Sequence, residues 1–434
     1  MSARAKLFHT TPKNHVFHRV IVSSFVLLML SCTAASGEQT PHKPLVTKLA
    51  KDPITSLYTI TIKADKSPLL LDLAGSLVWS TCLPPPSSSS HTTVACQSGP
   101  CGGAASQQCL RRCPHVEPGS GCACACNPVT REWSTGGLTS FAMSANTTDG
   151  TMELLPEESF AVIGACAPGS LPRSLPAGAT GIAGFSRRPL SLPSQLAAQH
   201  GFGRKFALCL PDFATLGYTD VPPDPYFAPL LTNPANAAGY YIPVKGISVS
   251  WHEADAPATL IRGALDLDAA TGRGGVVLST ATPYMIMRPD VFRAFAKAFD
   301  AAITRGKTPM STVKRAVPAP KPFELCYKGG FRMLKRPVSR DVPRINLELG
   351  DGATGNWTLF NDNYMVPVDG PTCLAILPMG PGGMPVEGEP AVVIGGKQLE
   401  NNLLVFDLEK QVLGFSMPLD LRLSSCRSKS FFGN

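Results

Sequence analysis

Short apolar runs with alternating or β-branched residues recur along the chain between residues 56 and 415. Bounded by Gly, Pro and Asn, such runs predict β-strands. They fall into two blocks, and the stretch from Pro211 to Asn236, rich in Pro, Asn and Ala, is predicted to connect them. One segment, 288–305, has apolar residues at helical spacing and a proline near its start, and it predicts a helix. The predicted strands lie at 56–62, 68–74, 76–81, 159–165, 206–210, 240–251, 274–280, 356–360, 391–396 and 403–415.

The two blocks contain related segments in the same order. LLLDLAGS (69–76) is similar to VVLSTATP (276–283), and TGIAGFSRRPLSLPSQL (180–196) is similar to AVVIGGKQLENNLLVF (391–406). Each block thus has an apolar strand that enters a small-residue turn, and later an apolar strand that ends in glycine. We predict an all-β protein of two related lobes, residues 45–225 and 238–426, that face each other across a cleft.

The first 37 residues have the pattern of a signal peptide. An apolar run (20–30) follows four basic residues and precedes small residues, with a predicted cleavage near Ser36 or Gly37. The alternative is a membrane anchor, for which the run is too short. We therefore expect a secreted, extracellular protein that has no membrane attachment after cleavage.

The composition excludes some partners and indicates an oxidising compartment. Removal of the four basic residues in the signal segment lowers the formal net charge from +8 to +4. No stripe of Lys and Arg interleaved with aromatic residues is present, so nucleic acid is not an expected partner. Eight of the 14 cysteines lie between Cys82 and Cys126. In a secreted chain this density predicts disulfides. The triplet of cysteines at 122–126 lacks the spacing and the histidines of a zinc site, so we predict no metal and no cofactor.

Two sequons predict N-glycosylation, one at Asn146 (NTT) and one at Asn356 (NWT). The segment PMGPGGMPVEGEP (378–390) is interpreted as a flexible surface loop because of its glycines and prolines.

The stretch LLLDLAGSLVWSTC (69–82) carries one carboxylate, Asp72, from the end of an apolar strand into a small-residue turn. This stretch resembles the first catalytic loop of pepsin-like aspartic proteases. The chain is more specifically similar to the plant xylanase inhibitors of the TAXI type and to the related basic 7S globulins. The similarity includes NTTDG, GACAP, FALCLP, YYIPVKGISV, GGVVLSTATPYMIMRPDVFRAF, ELCYK and VFDLEKQVLGFS. The resemblance implies a bilobal pepsin-like fold with a few short helices, in which Cys326 pairs with Cys373.

The second catalytic loop is altered. Aspartic proteolysis needs two carboxylates that share one proton and hold one water. In the second loop Ser279 stands where this resemblance requires the second Asp, and Ala281 stands where it requires Gly. A serine hydroxyl does not ionise near neutral pH. We therefore predict a protein without protease activity, in which Asp72 is a relic held by loop amides, with the Ser279 hydroxyl as a further candidate partner. CACACNPV (122–129) occupies the region of the protease flap, and no flap tyrosine is evident there.

The TAXI resemblance implies inhibition of microbial endo-1,4-β-xylanases of glycoside hydrolase family 11, as part of plant defence in the apoplast or cell wall. In those inhibitors a histidine shortly before the last cysteine enters the xylanase cleft. The corresponding tail GFSMPLDLRLSSC (414–426) has no histidine; Leu419 or Asp420 lies near that position, and Arg422 is its only cation before Cys426.

A second contact of the family is a leucine near the position of Pro337. Here the loop 328–341 is basic and includes Lys335 and Arg336, so it is either a target contact or a solvated surface loop. A basic loop would suit an acidic enzyme cleft. Two alternatives remain open for the whole chain. It is a binding or storage protein like the basic 7S globulins, or it inhibits another wall-degrading glycoside hydrolase.

Overall fold

The computed structural model describes residues 43–82, 91–93, 123–149, 154–217, 225–251, 254–305, 313–328, 342–422 and 424–427. The predicted signal peptide (1–37) and the loop residues Lys335, Arg336 and Pro337 lie outside them. Strands dominate the described residues, as the apolar runs predict. Within these ranges no helix is both long and apolar enough to cross a bilayer.

The strands of the first block form most of one large, mainly antiparallel sheet. In this sheet the order is β13-β28-β27-β11-β12-β1-β2-β3-β10-β4-β9-β8-β5, while β6 and β7 pair separately as a hairpin. The bounds are β1 (Leu45–Lys51), β2 (Tyr58–Ile60), β3 (Leu69–Asp72), β4 (Val78–Thr81), β5 (His91–Thr93), β6 (Ala123–Cys126), β7 (Trp133–Gly136), β8 (Leu138–Thr147), β9 (Leu155–Ala167), β10 (Gly181–Gly184), β11 (Lys205–Cys209), β12 (Phe213–Leu216) and β13 (Tyr226–Pro229), and, from the second block, β27 (Leu403–Asp407) and β28 (Val412–Phe415).

The second block forms three smaller sheets, of order β14-β17-β26-β18-β25, β16-β15-β21-β22 and β19-β20-β24-β23. The bounds are β14 (Tyr240–Ile242), β15 (Val244–Trp251), β16 (Ala254–Pro257), β17 (Val276–Leu278), β18 (Met285–Met287), β19 (Lys314–Arg315), β20 (Cys326–Lys328), β21 (Arg344–Leu349), β22 (Trp357–Leu359), β23 (Met365–Pro367), β24 (Thr372–Leu374), β25 (Ile376–Pro378) and β26 (Val392–Ile394).

Helices are few and mostly short, as the fold class predicts. The helix predicted at 288–305 is confirmed: it spans Pro289–Arg305 and buries an apolar face that includes Phe295 and Phe299. Another helix ends at Gly201, whose φ of 67° allows its N–H to reach Ala197 O. The α-helices are α1 (Leu192–His200), α2 (Pro289–Arg305), α3 (Asn361–Tyr364) and α4 (Gly396–Leu399), and a 3₁₀-helix covers Leu419–Arg422.

The internal similarity in the sequence corresponds to a repeated strand pairing. Strand β3 lies parallel to β10, with Asp72 opposite Gly184. In the second block β17 lies parallel to β26, with Leu278 opposite Ile394. In both blocks, therefore, the strand that enters the small-residue turn pairs with the later strand that ends in glycine. This arrangement places Asp72 and Ser279 at equivalent ends of two equivalent strands.

The two blocks share the large sheet. The C-terminal hairpin β27–β28 joins the first block, because β11 pairs with β27 and β13 pairs with β28. The prediction that 211–236 is only a connection was wrong, since this stretch contains β12 and β13. Both strands have four residues, and the prolines beside them give the stretch a turn-like composition. Their pairing with distant strands stabilises the extended backbone instead.

An aromatic cluster fixes the two blocks to each other. The rings of Phe206 (β11) and Phe406 (β27) stack with centroids 4.6 Å apart, and Tyr240 (β14) packs against Phe406 at 4.8 Å. The Tyr240 hydroxyl also donates to Phe185 O at 2.6 Å. Aromatic pairs of this kind contribute about 0.5–1.5 kcal/mol beyond the burial of their surface. All four side chains are fully buried.

Three disulfides join pairs of cysteines that both lie within the described residues. Cys82 bonds to Cys166, Cys326 bonds to Cys373, and Cys209 of β11 bonds to Cys426 near the C-terminus. The last of these encloses about half the chain and holds the 3₁₀-helix against the large sheet.

Candidate functional site

Asp72 lies at the end of β3 at the base of a cleft between the two blocks. Its side chain is 6% exposed, and its Oδ1 accepts the Ala74 N–H at 2.9 Å. The turn needs small residues because it approaches β10 closely: a Cβ on Gly75 would lie 2.7 Å from Gly184 Cα. The glycine in the sequence motif therefore reflects close packing of two backbones rather than mobility.

The side chain of Thr280 joins the two equivalent turns. Its hydroxyl donates to Leu71 O at 2.7 Å and accepts the Leu73 N–H at 3.1 Å. Thr280 is fully buried, so both bonds form away from water. The backbone on each side of Asp72 is thus held by the second block, and the carboxyl has a fixed position relative to Ser279.

Ser279 does not bond to Asp72. Its Oγ lies 3.0 Å from Thr282 Oγ1, and its N–H donates to Ile394 O at 2.9 Å. The Ala74 contact agrees with the expectation that loop amides hold Asp72. The other candidate partner of Asp72, the Ser279 hydroxyl, pairs with the Thr282 hydroxyl instead.

The cleft is a mixed polar and apolar cavity of about 570 Å³. Asp72, Ser279 and Thr282 supply polar groups near its base, and apolar side chains form much of its walls. The remaining lining comes from the hairpin β6–β7 and from the segment 382–389. The apolar lining residues are Ala74, Leu77, Trp79, Pro128, Ile182, Ala281, Met384, Pro385 and Val386.

The hairpin β6–β7 lines one side of the cleft and is anchored on the first block. Trp79 Nε1 donates to Cys126 O at 2.9 Å, and Asn127 Nδ2 donates to Leu171 O and Arg173 O, each at 2.8 Å. The sequence assigned this region to the flap, and the hairpin does line the cleft. The hairpin contains no tyrosine.

Arg131, at the turn of this hairpin, connects it to the other block. Its guanidinium donates to Gly382 O at 2.8 Å and to Met384 O at 2.6 Å. We call these two contacts the Arg131 latch. Because a guanidinium presents several donors in one plane, it can bind two carbonyls of one loop at once. Sequence reasoning missed this residue, since nothing local distinguishes Arg131 from other surface arginines.

The segment 378–390, interpreted as a flexible surface loop, is instead partly packed. Met384 is 8% exposed and lies in a cluster with Tyr241, Val277 and Val393. The Tyr241 hydroxyl donates to Glu387 O at 3.2 Å. The loop is therefore a wall of the cleft, and its glycines permit positive φ at Gly383 and Gly388.

The carboxyl of Asp72 at the base of the cleft has a pKa above its ordinary value. Burial raises the pKa of Asp72 to about 6, although bonds from loop amides oppose this rise. Within the described ranges no basic side chain forms an ion pair with it. Asp72 can thus bind or release a proton near neutral pH, whereas the facing Ser279 hydroxyl stays neutral.

The C-terminal tail has a defined structure around Leu419 and Asp420. Leu419 is 1% exposed and packs with Phe213 and the Cys209–Cys426 disulfide. It therefore anchors the 3₁₀-helix and does not present an apolar surface to a target. Only the backbone of Arg422 is described.

Asp420 is half-buried, and its Oδ2 accepts Asn401 Nδ2 at 2.8 Å. Desolvation raises its pKa. Beside it, Glu400 accepts hydrogen bonds from Lys51 and Lys397, while Asp362 has its pKa raised to about 6, chiefly by burial. The sequence pointed to Asp420 but not to Glu400 and Asp362, because these two come from segments separate from the tail.

The two predicted glycosylation sites differ in accessibility. Asn146 is half-buried in β8, its Nδ2 donates to Leu155 O at 3.1 Å, and Thr148 of its sequon is fully buried. Asn356 is exposed, and its Oδ1 accepts the Leu349 N–H at 3.1 Å.

Comparison with known proteins agrees with the geometry. Residues 57–218 match the model of the xylanase inhibitor N-terminal family, and residues 239–417 match that of the xylanase inhibitor C-terminal family. The chain is 39% identical to the chitinase CLP of Oryza sativa subsp. japonica, over 90% of this chain and 92% of that protein.

Solved structures show the same fold. A crystal structure of edgp has a TM-score of 0.76 at 28% identity and covers 90% of this chain and 98% of its own. The basic 7S globulin from soybean has a TM-score of 0.66 at 26% identity, over 87% of this chain and 97% of its own. The chain therefore belongs to the xylanase inhibitor family, with an all-β, bilobal, pepsin-like fold.

Proposed function

We propose that this protein is a secreted, non-proteolytic inhibitor of microbial endo-1,4-β-xylanases of glycoside hydrolase family 11. The observation that carries the proposal is the match of both blocks, nearly from end to end, to the xylanase inhibitor family. Membership of this family supports a glycoside hydrolase as the kind of partner. The target, the secretion and the defensive role in the apoplast or cell wall belong to the proposal.

The cleft supports the absence of proteolysis. Two coupled carboxylates are needed to hold and activate the attacking water. Here Asp72 faces Ser279, whose hydroxyl pairs with Thr282. Loss of one member of such a catalytic pair removes several powers of ten in rate. The Arg131 latch in addition joins the hairpin to the opposite wall.

The tail around Asp420 is our candidate contact with the xylanase. The 3₁₀-helix is held by the Cys209–Cys426 disulfide and by Leu419, so binding would require little ordering. A glycosidase cleft contains two carboxylates. An ionised Asp420 would repel them, and because burial raises the pKa of Asp420, this repulsion weakens at a higher pH than it would for an exposed aspartate. Arg422, Lys335, Arg336 and Pro337 are proposed as further contacts.

The experiment is an inhibition assay with the purified secreted protein against family 11 and family 10 xylanases at pH 5 and pH 7. We expect inhibition of the family 11 enzyme alone, stronger at pH 5. Asp420→Ala should weaken inhibition about tenfold, the loss of one hydrogen bond to a charged group. Asp351→Ala, an exposed acid in a distant turn, is the matched control. Thermal unfolding of both variants would separate lost contact from lost structure.

An excess of folded protein that leaves both xylanases fully active would contradict the proposal. A role as a binding or storage protein, or inhibition of another wall-degrading glycoside hydrolase, would then explain the retained scaffold.

A second candidate is hydrolysis of chitin, which the name of the rice relative suggests. The specific observation in its favour is that Asp72, with a pKa of about 6, shares the cleft with Glu387 and Glu389. Glycoside hydrolysis needs one carboxylic acid to protonate the leaving oxygen and one carboxylate to activate water. Release of products from chitooligosaccharides by the wild type, abolished in Asp72→Asn, would support it. Absence of release would rule this candidate out.

A further inference from the structure

The Asp72 carboxyl is a buried acid without a counter-charge in the described part of the chain. Oδ1 accepts one amide N–H, and the causes of its shifted pKa are burial and bonds from neighbouring backbone amides, with no contribution from a cation. Ionisation of an unpaired buried carboxyl is unfavourable because desolvation of its charge is not compensated. A cation that reached the cleft would supply the missing compensation.

The cleft around Asp72 has the size and the walls of a small-molecule site. A cavity of about 570 Å³ falls within the usual range for ligand pockets. Apolar side chains such as Leu77, Ile182 and Val386 line it, and Ser279 and Thr282 add neutral hydroxyls near the base. Arg131, Glu387 and Glu389 also line it; Arg131 donates to carbonyls of the opposite wall and Glu389 is paired with Arg273, so neither supplies a charge to Asp72. This lining favours a cation with a carbon body.

The roof of the cleft limits the length of the occupant. The Arg131 latch ties the hairpin to Gly382 and Met384 of the opposite wall. Met384 is itself buried, so this part of the wall is anchored on the second block. An extended peptide that crossed the cleft would have to break the latch, whereas a short molecule fits beneath it.

We propose that the cleft binds a small aliphatic amine, whose ammonium group forms an ion pair with the Asp72 carboxylate and whose carbon chain lies against the apolar walls. This site is separate from the C-terminal tail and does not depend on the proposed inhibition of xylanases. It assigns a role to a carboxyl that has no partner for proteolysis.

The proposal requires a particular pH dependence. In the empty cleft Asp72 is mostly protonated below pH 6 and ionised above it. The ammonium pairs only with the ionised form, so affinity should fall about tenfold from pH 7 to pH 5. A neutral ligand of the same shape should show no such change.

The test is isothermal titration calorimetry of the full protein with pentylamine and, as the matched neutral probe, pentan-1-ol, at pH 5 and pH 7. Asp72→Asn keeps an oxygen for the Ala74 N–H and removes the charge. We expect pentylamine to bind the wild type at pH 7 at least about 30-fold more tightly than it binds Asp72→Asn, as for removal of one partner of a buried charge pair.

Glu409→Gln, an exposed acid outside the cleft, should bind as the wild type does. Equal affinity of wild type and Asp72→Asn, equal affinity for the amine and the alcohol, or no binding of pentylamine would each overturn the proposal. Thermal unfolding of Asp72→Asn verifies that the variant is folded. Since xylanase is absent from the experiment, its result is independent of the inhibition assay.

Discussion

The hydroxyl of Thr280 accepts the backbone N–H of Leu73 at 3.1 Å, although the two residues are 207 positions apart in the chain. The same hydroxyl donates to Leu71 O, so one side chain of the second block fixes both neighbours of Asp72. The cleft therefore keeps a defined geometry at its base, although the facing residue is a serine. A rigid base helps the cleft to bind a ligand. It equally helps a scaffold that only presents loops to a partner.

Removal of the Thr280 hydroxyl should destabilise the protein. Thr280→Val preserves the shape and leaves Leu71 O and Leu73 N–H buried without this partner. We expect the free energy of unfolding to fall by about 2–4 kcal/mol, since each unsatisfied buried group costs about 1–3 kcal/mol. Chemical denaturation would measure it. Thr59→Val is the control, because the Thr59 hydroxyl makes only a 3.4 Å bond to Ala50 O, and a change there of similar size would refute the explanation.

Asp72→Asn should stabilise the protein at pH 7.5 and have little effect at pH 4. Burial raises the folded-state pKa of Asp72 to about 6 from a usual value of 3.8, so the folded protein holds this proton more tightly than the unfolded chain. The associated stability is fully present below pH 3.8 and is lost as the pH rises through 6. Asparagine carries no proton that is lost in this range, so the unfolding free energy of Asp72→Asn at pH 7.5 should exceed that of the wild type by up to about 3 kcal/mol. Urea unfolding of both proteins at both pH values tests this, and a constant difference would contradict it.

The disulfide between Cys209 and Cys426 should stabilise the whole fold and, in addition, hold the C-terminal tail in place. In Cys209→Ala/Cys426→Ala we expect a loss of about 2–5 kcal/mol in unfolding free energy. Amide exchange should also become faster in Leu419–Arg422, because the 3₁₀-helix packs on this disulfide. Hydrogen-exchange mass spectrometry provides the measurement. The pair Cys326→Ala/Cys373→Ala should leave exchange of the tail unchanged, and an equal response there would argue against local control.

Loss of the Arg131 latch should loosen one wall of the cleft without unfolding the protein. Arg131→Ala removes two hydrogen bonds to Gly382 O and Met384 O near the surface. We expect faster amide exchange in residues 380–384 and a change in unfolding free energy below about 1 kcal/mol. Arg262→Ala, at an exposed arginine elsewhere, should not alter exchange in that segment. Unaltered exchange in Arg131→Ala would show that the loop is held by its other contacts.

Glycosylation should distinguish the two sequons. In a host that secretes the protein, we expect a glycan on Asn356, which is exposed, and none on Asn146, whose amide nitrogen bonds to Leu155 O within the sheet. Peptide mass spectrometry after enzymatic deglycosylation would identify the modified residue. Asn356→Gln should remove the mass difference, and Asn146→Gln should not. A glycan found on Asn146 would mean that modification precedes formation of the β8–β9 pairing.

Local sequence patterns predict the strands, the long helix and the repeated turn motif. Period-two and helical spacings encode these elements locally, so the strand before Asp72, the strand before Ser279 and the helix Pro289–Arg305 were all predicted near their observed positions. The two-lobed fold followed from the internal similarity together with the family resemblance. The short strands at Phe213–Leu216 and Tyr226–Pro229 were missed, because their flanking prolines resemble those of a connection.

Contacts between side chains that are far apart in the chain became visible in the three-dimensional structure alone. Arg131 binds the segment 382–384, and Thr280 bonds beside Asp72, across separations that no local pattern encodes. Leu419 appeared in the sequence as a surface contact, yet it is buried against a disulfide formed with a distant strand. The spacing of apolar residues indicates which face of a strand or helix is buried. It does not indicate what that face packs against, because this depends on how distant strands pair. For that reason the fold, the two turns of Asp72 and Ser279 and the flap region could be predicted from the chain, and the contacts that join them around the cleft could not.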